Sequence, residues 1–406
     1  MKLCFLVILC LIIQAPFISS QSLVIELFRH GARSPSQGTF DNSWDSYGYG
    51  ELTSVGMRQH YILGAAISQT YPTLTPYDPT TVYVRSCDKN RTIMSAYCHL
   101  YGVYNGLGPN LPDTISHQMT WPPYDPDILA QVDTNNASAL PNNFMPVPIH
   151  SVDSGEDYIL ESYKNCPDLS DIYYAHTDDD TVNEVFQELN STVSYINSQL
   201  PNQPIKTMKD LKNFGDTAIA NLYYGKTIPA NIQPSSPMFN DIVFADQWYE
   251  VYPTLATKKQ RQTFVAPLMW QINDYINGVK NGSSSLKFIV LSAHETTLML
   301  ILTGIGLVTP ECLRANWEAI RQDNAVPYPL CSYPIFASQI VFEYYNTTDP
   351  YIVVKYNDMV IDFCNTGNGI CSLNEFINVS SAITGKMGYA DFLKVCGITT
   401  PNQQTT

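Results

Sequence analysis

The strongest constraint on the fold of this chain lies near its start. Leu23 to Phe28 is a short apolar run with β-branched members, and it stops abruptly at Arg29-His30-Gly31. Such a run reads as a buried strand feeding a loop. A strand that ends in Arg-His-Gly places an imidazole at its carboxyl end, where open α/β sheets bind ligands. Gly31 lets the backbone turn closely past a ligand, and Pro35 stiffens the exit. Arg29 and Arg33 flank the histidine, and two guanidinium forks around one imidazole suit an anion.

The following residues repeat the strand-and-helix rhythm. Thr53 offers an N-cap, and Val55, Tyr61, Ile62 and Ile67 follow at helical spacing toward Pro72. Thr81 to Arg85 alternates as a second strand, and Asp88 is placed to cap a helix running to about Tyr104. This β-α-β-α opening predicts an α/β fold, a sheet flanked by helices. From about 108 to 237 prolines are dense, and amphipathic helical stretches follow near Asp180–Gln199 and Met208–Tyr224. This segment predicts an inserted, mainly helical smaller domain. The sheet rhythm resumes with a strand at Lys287–Ser292, a helix at His294–Leu302 and a hairpin of Gln339–Tyr344 with Tyr351–Tyr356. The expected division is an export signal at 1–20, an α/β catalytic domain at 21–107 and 238–406, and the helical insert at 108–237.

The chain carries 37 acidic against 22 basic residues, a net charge of −15. That balance argues against nucleic acid as a partner, since a basic surface is what a polyanion rewards. Lys2, the apolar run Leu3–Ile13 and the small residues Ile18-Ser19-Ser20 have the form of an export signal. No later stretch has the length of an apolar membrane span. Losing the first twenty residues leaves eight cysteines, an even number that suggests disulfides in an exported chain. Cys364 and Cys371 flank an Asn-Thr-Gly-Asn-Gly turn and form the expected local bridge, and no His-Cys run has zinc spacing. Six sequons, at Asn90, Asn136, Asn190, Asn281, Asn346 and Asn378, fit a glycosylated surface.

Arg29-His30-Gly31-Ala32-Arg33-Ser34-Pro35 resembles the signature of the histidine acid phosphatases, the branch that includes prostatic and lysosomal acid phosphatases and phytases. Glu51 to Gly64 looks like the first helix of that family, and Arg85-Ser86-Cys87-Asp88 through Arg91-Thr92-Ile93-Met94-Ser95 resembles its second block. Pro146-Val147-Pro148-Ile149-His150, Asn165-Cys166-Pro167 and Ser292-Ala293-His294-Glu295-Thr296-Thr297 follow in family order. The resemblance implies a phosphoglycerate mutase-like fold and hydrolysis of phosphate monoesters at acidic pH without a metal or other cofactor. It makes His30 the nucleophile that forms a phosphohistidine, and Arg29, Arg33, Arg85 and His294 the phosphate-binding groups. Glu295 becomes the proton donor, although the acid phosphatases of the family usually carry Asp there, so the reach changes by one methylene. Cys87 also stands where a threonine is common.

The same resemblance pairs Cys166 with Cys396 and Cys364 with Cys371. Cys312 and Cys331 are spaced to close a local loop, which leaves Cys87 and Cys98 undecided. Arg91 reads as a member of a structural ion pair, His60 as a packing or hydrogen-bonding residue near the site, and His150 as a support for the pocket. His99, His117 and His176 read as solvated. The expected partners are small phosphate monoesters, and the resemblance allows a homodimer. The expected destination is the medium or a lysosome. Two other readings share the signature: a phytase or inositol-phosphate phosphatase, and a secreted phosphoanion-binding protein that has lost turnover. A phosphoglycerate mutase-like phosphotransferase commonly continues Arg-His-Gly with Glu, where this chain has Ala32.

Overall fold

The computed structural model describes residues 21–38, 41–114, 117–133 and 137–398. The export segment, the Asn136 sequon and the tail from Thr399 lie outside them, as does the side chain of His117. The strands are β1 (Leu23–Arg29), β2 (Val82–Cys87), β3 (His150–Val152), β4 (Phe288–Ala293), β5 (Gln339–Tyr345), β6 (Tyr351–Tyr356), β7 (Met359–Ile361) and β8 (Ile370–Ser372). They form one mixed sheet in the order β3-β2-β4-β1-β5-β6-β7, with β8 added to β6.

The parallel half of the sheet positions the site. β1 pairs with β4, Arg29 opposite Ala293, and β4 pairs with β2, Ser292 opposite Ser86. The carboxyl ends of three strands distant in sequence therefore finish side by side. Parallel neighbours need crossover connections, which helices supply here. The first are α1 (Ser54–Thr70) and α2 (Asn90–Val103). Thr53 caps α1 by accepting from the Gly56 amide. Asp88 does not cap α2: β2 runs two residues past Arg85 to Cys87, so the helix begins only at Asn90 and Asp88 is exposed.

Both faces of β1 are buried, as its near-continuous apolar sequence requires. Leu23, Ile25 and Leu27 face one core, which includes Phe264, Leu268 and Met269 of α5 (Lys258–Lys280). Val24 and Phe28 face the other, with Ile67, Leu100 and Val103 of α1 and α2. Glu26 falls on this second face, and its Oε2 lies 3.0 Å from His99 Nε2 with both side chains fully buried. His99 is therefore a core residue and not a solvated one. A carboxylate within a buried strand must find a partner, and α2 delivers it.

A separate helical core joins Val182, Val185, Ile196, Leu211, Phe214, Ala218, Ile242, Ala245 and Trp248. It is built from the helices Asp180–Glu188 and Asn190–Gln199, from α3 (Met208–Tyr224) and α4 (Pro237–Leu255), and from Trp317 of α7 (Pro310–Arg321). The single amphipathic stretch expected over Asp180–Gln199 is two helices divided at Leu189. Disulfides join Cys166 to Cys396, Cys312 to Cys331 and Cys364 to Cys371, while Cys87 and Cys98 are free thiols. Among the described residues no helix is long and apolar enough to cross a membrane.

Candidate active site

His30 is the first residue beyond β1, and its backbone is fixed from both sides. Its amide donates to Ala293 O (3.1 Å), and its carbonyl accepts from the Ala337 amide (3.1 Å). Gly31 is required by α1: a Cβ there would sit 2.5 Å from Gly56 O and 2.6 Å from Gly56 Cα. The close approach expected toward a ligand is thus one toward the first turn of the helix, and it locks the loop to the scaffold. His30 Nδ1 lies 2.8 Å from Gly31 O. A carbonyl only accepts, so Nδ1 carries the ring proton and Nε2 presents a lone pair. The side chain is 1% exposed. Burial, then Arg91, Arg29, His294 and Arg33, hold its pKa well below the usual histidine value. These influences favour the neutral imidazole.

Each of the three expected arginines is gripped by one buried carboxylate. Arg29 Nε lies 2.8 Å from Glu295 Oε2; its Nη1 donates to Pro334 O (2.9 Å), and its guanidinium lies 4.4 Å from the Phe336 ring centroid. Arg33 Nη1 lies 2.8 Å from Asp216 Oδ1, and the Ser36 amide and hydroxyl each donate to Asp216 Oδ2 at 2.7 Å. Arg85 Nη2 donates to Asp157 Oδ1 at 2.8 Å, and that oxygen also accepts from the Ile159 and Leu160 amides. One edge of each planar fork is anchored, so the orientation of each guanidinium is set before a ligand arrives.

His294 caps α6 (Glu295–Gly304), and Glu295 opens it, where the helix dipole favours a carboxylate. The His30 and His294 rings are 5.4 Å apart and nearly perpendicular. Glu295 Oε2 is 3.9 Å from His30 Nε2. Burial alone would raise the pKa of Glu295, but Arg29, His294 and Arg33 together hold it well below the usual carboxylate range. Arg29, His30, Arg33, His294 and Glu295 therefore meet at the carboxyl ends of β1 and β4, and Arg85 lies on the neighbouring strand β2.

Two neighbours differ from expectation. Arg91 makes no ion pair among the described residues; its Nη1 reaches toward Gly50 O (3.5 Å), and its charge acts on His30 and His294. His150 does not support the pocket: it is exposed on β3 at the sheet edge and stacks on Tyr83. His60 does pack beneath the site, its Nε2 3.1 Å from Arg29 O. His176 is partly exposed and pairs with Asp179.

Of the carboxylates that fix the arginines, Glu295 was singled out in the sequence, and Asp157 and Asp216 were not. Asp157 and Glu161 sit in a loop with no periodicity. Asp216 carried a signal, since it shares the buried face of α3 with Leu211, Phe214 and Ala218. A charge on an apolar helix face needs a partner, and here that partner is Arg33.

The sequence profile of the histidine phosphatase superfamily (branch 2) matches residues 22–357. The chain belongs to this family. Among its curated relatives, lysosomal acid phosphatase of Rattus norvegicus is 26% identical over 346 residues, covering 79% of this chain and 72% of the relative. Prostatic acid phosphatase of Bos taurus is 27% identical over 315 residues, covering 73% of each. Among solved structures, apo phytase of Hafnia alvei superposes with a TM-score of 0.60 at 16% identity, covering 91% of this chain and 98% of that one. At that identity the likeness shows the fold alone. As a histidine phosphatase of the acid phosphatase kind, the chain is a phosphoric monoester hydrolase.

Asp216 gives a direct test of how this phosphatase orients Arg33. Asp216→Asn is expected to lower kcat/KM about 10- to 100-fold, the scale of a misplaced binding group. Most of the change should fall on KM, and Asp216→Glu should recover part of it. Steady-state kinetics on p-nitrophenyl phosphate checks this, and an unchanged kcat/KM would remove Asp216 from the site.

Proposed function

We propose that the chain hydrolyses phosphate monoesters by two in-line displacements through a phosphorylated His30. The observation that carries this reading is His30 itself: a buried imidazole with its proton fixed on Nδ1 and its Nε2 facing Glu295 at 3.9 Å. Nε2 attacks phosphorus, and the ester oxygen leaves with a proton from Glu295; water then attacks the phosphohistidine and releases phosphate. Arg29, Arg33, Arg85 and His294 compensate charge on the non-bridging oxygens as it shifts in the transition state.

The ion pair of Glu295 with Arg29 adds a condition to this mechanism. Paired, Glu295 is a carboxylate and has no proton to give. A phosphate dianion that engages Arg29 takes away its counter-charge and places a negative group nearby, so the Glu295 pKa rises on binding. The donor is therefore charged with its proton by the substrate, and acid favours that step.

A cavity of about 190 Å³ opens from Arg29 between the sheet and the helical core. Tyr223, Val243, Tyr333 and Phe336 are among its walls, with Asp216 as its carboxylate, Arg29 as its cation, and Asp246 as an acid whose pKa burial pushes up to about 8. This lining supports simple monoesters with an apolar body over inositol polyphosphates, whose further phosphates would meet the Asp216 carboxylate and aromatic faces and find no cation besides Arg29 among the described lining residues. The helical insert at 108–237 supplies one wall, and its apolar core continues past that boundary to Trp248. We assign residues 1–20 as an export signal and the destination as the medium or a lysosome. The exposed sequon asparagines Asn90, Asn190, Asn281, Asn346 and Asn378 support a glycosylated surface.

The test is hydrolysis of p-nitrophenyl phosphate between about pH 4 and 7 with EDTA present. The expected result is turnover that is fastest in acid and indifferent to chelation. Loss of activity on chelation, or a rate maximum above neutral pH, would contradict the mechanism. Phosphate binding without turnover would favour the phosphoanion-binding protein.

A further inference from the structure

Beside His294 lies a cluster of which two members, Cys87 and Glu161, take no part in phosphoryl transfer. Cys87 ends β2 as a buried free thiol, and Glu161 is a fully buried carboxylate from the loop that also carries Asp157. The Cys87 sulfur, a Glu161 oxygen and a His294 ring nitrogen all lie within 4.8 Å of one another. Glu161 Oε1 is 3.6 Å from His294 Nε2, and that buried nitrogen has no hydrogen-bond partner among the described residues. Sequence spacing gave no hint of the set, because its members lie at positions 87, 161 and 294 and meet only in the fold.

A thiolate, an imidazole and a carboxylate are the donor types that bind zinc. With metal–ligand bonds of about 2.0–2.3 Å, tetrahedral donors sit roughly 3.3–3.8 Å apart. The cluster would therefore need to contract by about 1 Å. We propose that Cys87, Glu161 and His294 form an inhibitory binding site for a thiophilic divalent cation such as Zn²⁺.

The local charges accommodate it. Glu161 and Asp157 face the sulfur with negative charge, while Arg85 and Lys164 face it with positive charge. Asp157 is already committed to Arg85. Lys164, which holds Glu161 Oε1, is 41% exposed and free to turn into solvent when a metal takes that oxygen. Ligation exchanges the thiol proton for the metal, Cys–SH + M²⁺ → Cys–S–M⁺ + H⁺, and Glu161 brings the site to neutrality. The metal then holds His294 Nε2 and draws the ring from the phosphate. The effect on turnover rests on the phosphatase reading above. Cys87 supplies the soft ligand; the threonine that the resemblance makes common at this position would supply none.

The test uses the whole secreted-form protein with Zn²⁺, with Mg²⁺ as the hard-cation control. Zn²⁺ is expected to inhibit p-nitrophenyl phosphate hydrolysis reversibly, with EDTA restoring the rate and Mg²⁺ having no effect. Cys87→Thr should raise the half-inhibitory Zn²⁺ concentration at least about tenfold, and Cys98→Ser should leave it unchanged. Titration of the wild type with Co²⁺ should show one equivalent bound with a sulfur-to-cobalt charge-transfer band, which Cys87→Thr abolishes. Equal inhibition of wild type and Cys87→Thr would overturn the proposal and place the metal on His30, His294 and Glu295, which are also within ligand distance. Absence of the thiolate band in the wild type would overturn it too. The Co²⁺ titration reads binding without turnover, so an inactive enzyme sinks the phosphatase reading while this site is still decided. It also needs no variant to fold.

Discussion

His30→Ala is expected to lose about 10⁴-fold or more in kcat and still bind inorganic phosphate. Removing a catalytic nucleophile typically costs activity on this scale, because residual turnover must use water without a covalent step. Binding survives for a structural reason. The position of residue 30 is held by its own backbone, through Ala293 and Ala337, and not by the imidazole. Arg29, Arg33 and Arg85 are held by Glu295, Asp216 and Asp157, so none depends on His30 for its orientation. Calorimetric titration with phosphate and single-turnover kinetics separate the two effects. Rapid alkali quenching of the wild type should trap an alkali-stable, acid-labile phosphoryl group that the variant lacks. A variant retaining activity within tenfold of wild type would show that His30 is not the nucleophile.

What could be read from the sequence was what chemistry had written locally. β1 was legible because burial on both faces leaves an unbroken apolar run, and the break at Arg29 marks its end. Glu295 and His294 were legible through the resemblance of Ser292–Thr297 to a family motif, and the buried strand that passes directly into a helix there fixes both at the helix start. The anchor of Arg85 was not legible. Arg85 and Asp157 are 72 residues apart, and nothing in the intervening proline-rich stretch announces that β3 will bring the second to the first. The same stretch hid β3, a three-residue strand whose outer side chains are largely exposed and therefore carry no burial pattern. His99 had a signal that lacked a motif: it shares a face of α2 with Ala96, Leu100 and Val103, while Glu26 interrupts the apolar run of β1. Two polar residues in two apolar patterns are evidence for each other, since neither is stable there alone.

Glu295→Gln is the second large effect, and it should depend on the leaving group. Alkyl phosphates expel a strongly basic alkoxide unless it is protonated, so they are expected to lose about 10²- to 10⁴-fold in kcat, the range of general acid catalysis. p-Nitrophenyl phosphate leaves as a stabilised phenolate and should lose less than about tenfold. A general structural defect would lower both alike, so the ratio of the two losses is the measurement that matters. Phosphate affinity supplies an independent readout. Glu295 is ionised while paired with Arg29, and in the proposed mechanism it takes up a proton when a dianion replaces it there. A ligand whose binding takes up one proton loses affinity about tenfold per pH unit as pH rises, until the pH passes the raised pKa of the complex. The glutamine variant has no proton to take up at this position, so its affinity should keep only the pH dependence of phosphate itself. Equal slopes in wild type and variant would mean that Glu295 stays a carboxylate in the complex. The proton for the leaving group would then have to come from the substrate monoanion, and the Glu295–Arg29 pair would serve only to orient the arginine.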